Sequence, residues 1–294
     1  MISILYDDKS ISWPLITLLK KLPIDDIMIV NIPSADFTLR SGIHISLGFT
    51  RLVKRLARKK IRSAGHFSNI LRELDILDRD IPDIDLALCI AQTLWMKNDL
   101  RLLEFYKRIS LILNIKYKLY PLLDPPPSMS IKTSLGELDP ISFRKLRKVP
   151  DIKSIDFVNL DKSNIIKETK EALRHSSKVL LFQTTPLSMY LLKSIGGLNK
   201  MLEEFKGSII YLLPRRLSSS DKAILKKLGY AEDMEGLIDF SCERVDAIIF
   251  DDKHTNIVEN SSKYNVTLYP MSYNTNDKET LKRFIDDLLT ILYK

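Results

Sequence analysis

Carboxylates stand at the ends of three apolar runs in this chain. Asp7-Asp8 follow ISILY (2–6), Asp36 lies four residues beyond IMIVNI (27–32), and Asp251-Asp252 follow DAIIF (246–250). If those runs are parallel strands, the acids sit at the carboxyl edge of a sheet, where open α/β folds bind ligands. Hard oxygen donors there could hold magnesium beside phosphates, and Asp36 is the candidate metal residue. For each acid a solvated loop position is the plainer alternative. The loop QTTPLS (183–188) is a second candidate. It follows a strand and opens a helix, and Pro186 suits the first helical turn. Thr184, Thr185 and Ser188 place hydroxyls near the positive end of that helix, where a phosphate could be captured. Capping by Thr185 would need no ligand.

The segment RLVKRLARKKIR (51–62) carries seven cations and no acid. Its apolar residues recur at helical spacing. It reads either as a phosphate or nucleic-acid surface or as a helix with a solvated basic face. No aromatics are interleaved as stacking platforms, so nucleic acid is not the expected partner. His44, His66, His175 and His254 form no i, i+4 pair, and no Ser-His-Asp or Cys-His arrangement is legible. Zinc chemistry and a triad nucleophile are not expected. Cys89 and Cys242 lack metal-ligand spacing and read as reduced core thiols.

These residues need a frame. Strands are expected at 2–6, 27–32, 178–183, 208–213, 246–250 and 265–269. Helices are expected at 14–21, 165–176, 187–205 with a break at Gly196-Gly197, 219–228 closed by Gly229, and 281–292. Short apolar strands alternating with helices imply a parallel sheet covered on both faces. Residues 50–114 read as mostly helical. KYKLYPLL (116–123) and SIKTSLGELDPISF (130–143) read as extended, the latter with a hairpin about Leu135-Gly136. The expected fold is α/β: a Rossmann-like three-layer core with a mostly parallel sheet, plus a helical excursion and a small β element. The whole chain reads as one domain, with its core in 1–49 and 151–294 and the excursion in 50–150.

Composition sets limits. The 294 residues can bury a sizeable core, and no run approaches the roughly 18 apolar residues of a membrane span. The start of the chain shows no basic stretch followed by an apolar region, so no secretory leader and a cytoplasmic location are expected. A net charge of +8 suits a polyanionic or phosphorylated ligand. There are nine glycines, against roughly 7% in average usage, and the first is Gly42. A glycine-built phosphate loop is therefore missing from the first strand-to-helix turn.

The order of pieces resembles the 2-phospho-L-lactate transferase family of coenzyme F-420 biosynthesis. That family has a G-G-T-G turn after its first strand, where this chain has YDDKS (6–10). The family's strand ending in asparagine, G-D-D-F turn and G-L-H-I-S-P-D-L-D resemble NIPSADF (31–37) and GIHISLGFT (42–50). Asn31, Asp36, Phe37, Gly42, His44 and Ser46 match. L-G-D-R-D-L-A resembles IPDIDLA (81–87), keeping Asp83 and Asp85 with Ile84 in place of arginine. P-S-N-P-x-x-S resembles QTTPLSMYLL (183–192), keeping Pro186. LLPRRLSSSDKAILKKLG (212–229) resembles the family's strand, proline and D-K-x-x-x-x-L-G helix.

The resemblance implies transfer of a phospholactyl group from a guanosine-linked donor to a deazaflavin alcohol, with magnesium, and allows a homodimer. Taken together with the strand-end and loop readings above, it leaves Asp7, Asp8, Lys9, Ser10, Asp36, Asp85, Thr184, Thr185, Pro186 and Ser188 as the candidate substrate-binding residues. Lys9 would meet a phosphate as a point charge where the family uses glycines. Scaffold positions persist and charged site positions are mostly changed. Two readings follow: a divergent transferase, and a non-catalytic relative acting as a binding or partner protein on the same scaffold.

Overall fold

The fold is described from a computed structural model over residues 1–57, 70–71, 73–74, 81–241, 243, 245–254, 257, 263–272 and 277–294. Its centre is a seven-stranded sheet in the order β14-β13-β12-β11-β1-β2-β5, with every neighbouring pair parallel. The strands are β1 (Ile2–Tyr6), β2 (Ile27–Asn31), β5 (Lys118–Pro121), β11 (Lys178–Phe182), β12 (Ser208–Leu212), β13 (Ala247–Asp251) and β14 (Thr267–Met271). β1, β2 and β13 are buried along their whole length, as a sheet covered on both faces requires.

Alternating side chains of β1 feed two cores. Ile2, Ile4 and Tyr6 pack with α1 (Trp13–Lys21), α2 (Leu47–Leu56), α4 (Leu102–Ile112) and α11 (Lys278–Tyr293). Leu5 packs on the other face with α6 (Lys167–Arg174), α7 (Pro186–Ser194), α8 (Gly196–Glu203) and α10 (Met234–Ser241). The chain is thus a three-layer α/β protein. Helix α3 (Asp83–Lys97) packs beside α2 over a short antiparallel ladder of β3 (Phe37–Thr38) and β4 (His44–Ile45).

The excursion differs from its sequence reading in three ways. Residues 118–121 do not stay in a separate β element: they join the main sheet at its edge beside β2. Pro121, which has no N–H to donate, is tolerated there. Residues 140–145 are not extended but form α5 (Pro140–Lys145). Asp139 caps it, accepting from Ile141 N at 2.9 Å and Ser142 N at 3.0 Å, with Pro140 in the first turn. The small sheet instead gains a strand from beyond residue 150. It runs β8 (Gly136–Leu138), β7 (Ser128–Thr133), β9 (Ile152–Val158), and the expected hairpin joins β7 to β8. The helix expected from 165 starts at Lys167, because β10 (Asn164–Ile165) pairs with β6 (Leu123–Asp124). α9 (Ser219–Lys227) follows β12. The basic segment is helical to Leu56; residues 58–62, with Cys242 and His66, lie outside the described residues. No described helix is long and apolar enough to cross a membrane.

Candidate functional site

The chain runs outward from β1 through β2 to β5 on one side, and from β11 through β12 and β13 to β14 on the other. The topological switch point is therefore between β1 and β11, and a crevice opens outside their carboxyl ends. Asp7-Asp8 and the QTTPLS loop, widely separated in sequence, meet at that point.

Asp7 is buried and saturated with donors. One carboxylate oxygen accepts from Lys9 N at 3.0 Å, Ser10 N at 2.9 Å and Ser10 Oγ at 2.7 Å. The other accepts from Thr185 N at 2.9 Å and from the Ser188 hydroxyl. Thr185 caps α7, its hydroxyl accepting from Ser188 N at 3.3 Å, and Pro186 follows in the first turn. Ser34 Oγ lies 2.6 Å from Ser188 Oγ. Thr184 is buried beneath the loop; its carbonyl accepts from Tyr211 Oη at 2.7 Å. The start of α7 thus already holds an anion, the Asp7 carboxylate.

Asp8 meets a different partner. Arg144 Nη1 on α5 donates to its two oxygens at 2.8 and 2.7 Å, and Arg51 Nη1 on α2 lies 3.6 Å away. Burial alone would raise the Asp8 pKa, but Arg144, Arg51 and Lys9 outweigh it and hold the carboxyl below the usual range. Gly48 lets α2 approach this corner. A Cβ there would lie 2.5 Å from Asn31 Oδ1 and 3.5 Å from Asp8 N.

Lys9 turns away from Asp8 and donates to Ser218 Oγ at 3.0 Å and to both oxygens of Asp221 at 2.9 Å. Ser218 and Asp221 form the capping box of α9. Beyond Lys9 a cavity of about 800 Å³ opens over β11, β12 and β13. Its walls include Gln183, Arg215, Arg216, Asp251, Lys253 and His254. Arg215 Nε donates to Asp251 at 3.0 Å, and His254 Nε2 donates to the Arg215 carbonyl at 3.1 Å. Gln183 sits on the floor at φ 49°, a conformation side chains seldom adopt. Four cations face two carboxylates here, and among the described residues Arg216 and Lys253 make no ion pair.

The other predicted acids are placed elsewhere in this corner. Asp36 is buried, with Oδ2 3.3 Å from His44 Nε2. Burial pushes its pKa up, the His44 bond opposes the rise, and the Asp8 charge adds to it. Asp85 on α3 accepts from Lys54 on α2, and Asp252 is exposed. The carboxylates fit a protein-held magnesium poorly. Asp8 and Asp36 are engaged by Arg144 and His44, and among the described residues no three His, Cys, Asp or Glu side chains converge as a cation site.

Comparison with known proteins gives this geometry a lineage. The chain is 24% identical, over 179 residues, to the 2-phospho-L-lactate transferase of Methanocaldococcus jannaschii, spanning 58% of each protein. The chain is a divergent relative of that transferase. Two crystal structures of a UPF0052-family protein from Bacillus halodurans superimpose with a TM-score of 0.56 each. They are 14% and 13% identical and cover 96% of this chain and 89% of that one. Their likeness shows the three-layer fold. No protein-family model matches the chain.

Sequence reasoning missed Arg144, Arg215, Arg216, Asp221 and Lys253. Part of the signal was present: LPRRLSSSD follows a strand with two adjacent arginines and a Ser-x-x-Asp capping pattern. Arg144 carried none, because its use depends on where a distant small sheet packs.

Proposed function

We propose that the chain is a transferase of the 2-phospho-L-lactate type, moving a substituted phosphate from a guanosine-linked donor to a deazaflavin alcohol. The observation that carries this reading is the cation-rich cavity beside the switch point, joined to a partial likeness of sequence to such a transferase. That likeness favours a transferase over a non-catalytic partner protein.

In such a transfer the donor's phosphoanhydride P–O bond breaks and a P–O bond to the acceptor hydroxyl forms. The nucleotide half leaves, and the hydroxyl proton passes to solvent. Catalysis of this kind is mostly positioning and neutralisation of charge. Lys9 and Arg215, fixed by Asp221 and Asp251, supply rigid positive walls, and Arg216 and Lys253, which make no ion pair among the described residues, supply further positive charge. Magnesium enters this reading only as an ion carried on the donor's own phosphates.

The test is a thermal-shift series with guanosine 5′-diphosphate and a deazaflavin alcohol, with and without magnesium, followed by mass spectrometry of a transfer reaction supplied with the guanosine-linked phospholactyl donor. A ligand at about a hundredfold excess over its Kd stabilises the native state by about 2.7 kcal/mol. A shift with phospholactylated product supports the reading. Neither shift nor product overturns it.

A further inference from the structure

The turn after β1 carries its own anions. Asp7 fills the start of α7, taking the Thr185 N–H and the Ser188 hydroxyl that a phosphate would use. Asp8 takes Arg144 and Arg51. A ligand oxyanion at this turn would meet two buried carboxylates at close range, with their best donors already committed. Asp221 removes Lys9 from the same turn.

Among the described residues, the nearest positive charge without an ion pair lies one strand further out. Arg216 follows β12 and Lys253 follows β13, both on the wall of the 800 Å³ cavity. The loops that carry them are tied together by Arg215–Asp251 and by the His254 bond to the Arg215 carbonyl. Two cations on a braced concave wall match a diphosphate in charge.

We infer that this chain binds the diphosphate of its ligand at Arg216 and Lys253, between the β12 and β13 loops, because Asp7 and Asp8 occupy the anion positions at the end of β1. This rests on the transferase reading for the nucleotide but not for the anion. Asp7 and Asp8 act as internal counter-ions that close the first turn to phosphate.

Isothermal titration with inorganic pyrophosphate and with guanosine 5′-diphosphate tests it on the full chain. The variants are Arg216→Gln/Lys253→Gln, at two exposed positions, and Arg144→Lys, which keeps a cation on Asp8. The double variant is expected to weaken both probes by at least about tenfold and to flatten their salt dependence. Arg144→Lys is expected to change affinity by less than about threefold. The inference is overturned if the wild-type chain binds neither probe, if the double variant binds as tightly as wild type, or if Arg144→Lys carries the loss. Pyrophosphate binding through Arg216 and Lys253 without transfer activity would sustain the inference and sink the transferase reading.

Discussion

Arg144 holds Asp8 with one nitrogen. Nη1 reaches both carboxylate oxygens, while Nε and Nη2 are buried with no hydrogen-bond partner among the described residues. The pair fastens α5, and with it the small antiparallel sheet, to the first turn of the central sheet.

Breaking that pair should be costly. Arg144→Ala leaves the buried Asp8 carboxylate with only the longer Arg51 contact, and a loss of up to about 3–5 kcal/mol is expected from urea unfolding. Asp8→Ala in the same chain removes the orphaned charge and should recover part of the loss. If the double variant is no more stable than the single one, the pair is not the anchor.

The pH dependence of stability should carry opposite signs for two acids. Asp8 has a folded pKa below its ordinary 3.8, so its contribution is present above that value and is lost as pH falls through the folded pKa. Asp36 has a folded pKa above 3.8, so its contribution is present below 3.8 and is lost as pH rises through the folded pKa. Urea midpoints for Asp8→Asn should fall less than wild type on acidification. Those for Asp36→Asn should lack the part of the pH dependence above 3.8 that Asp36 contributes in wild type. The reverse pattern would reject both assignments.

The central sheet was readable because its strands are short continuous apolar runs, and only a sheet buried on both faces needs them. ISILY, SIIYL and AIIFD show this most plainly. The acids at their ends were readable for the same reason, since a strand end is local. What those acids do was not local. Asp7 faces a loop 178 residues away and Asp8 an arginine 136 residues away, so charge type alone could not separate a ligand site from an internal counter-ion. Likewise Lys118–Pro121 reads only as an extended piece of a small β element until β2 supplies its neighbour.

Gly48 offers a test of close packing. In an exposed helix Gly→Ala stabilises by roughly 1 kcal/mol. Here the new Cβ would meet Asn31 Oδ1 at 2.5 Å, and Asn31 Nδ2 is tied to Tyr106 Oη at 3.3 Å, so little room is left to yield. Gly48→Ala is expected to destabilise by about 1–3 kcal/mol in urea unfolding. A neutral or stabilising result would mean that α2 sits further from the first turn than described.

Gln183 separates stability from binding. Its left-handed backbone is held by its N–H to the Leu212 carbonyl at 2.8 Å, while its carbonyl lies 3.3 Å from Ser10 Oγ. Its side-chain oxygen accepts from Ser12 Oγ at 3.3 Å, and the residue lines the cavity. Glycine adopts this backbone without strain, so Gln183→Gly should leave the melting temperature unchanged or raise it. The same variant should weaken binding of guanosine 5′-diphosphate several-fold by removing a donor from the floor. Strain kept at one residue for the sake of its side chain is a mark of function. If Gln183→Gly lowers stability and leaves binding intact, the residue serves the loop and not the ligand.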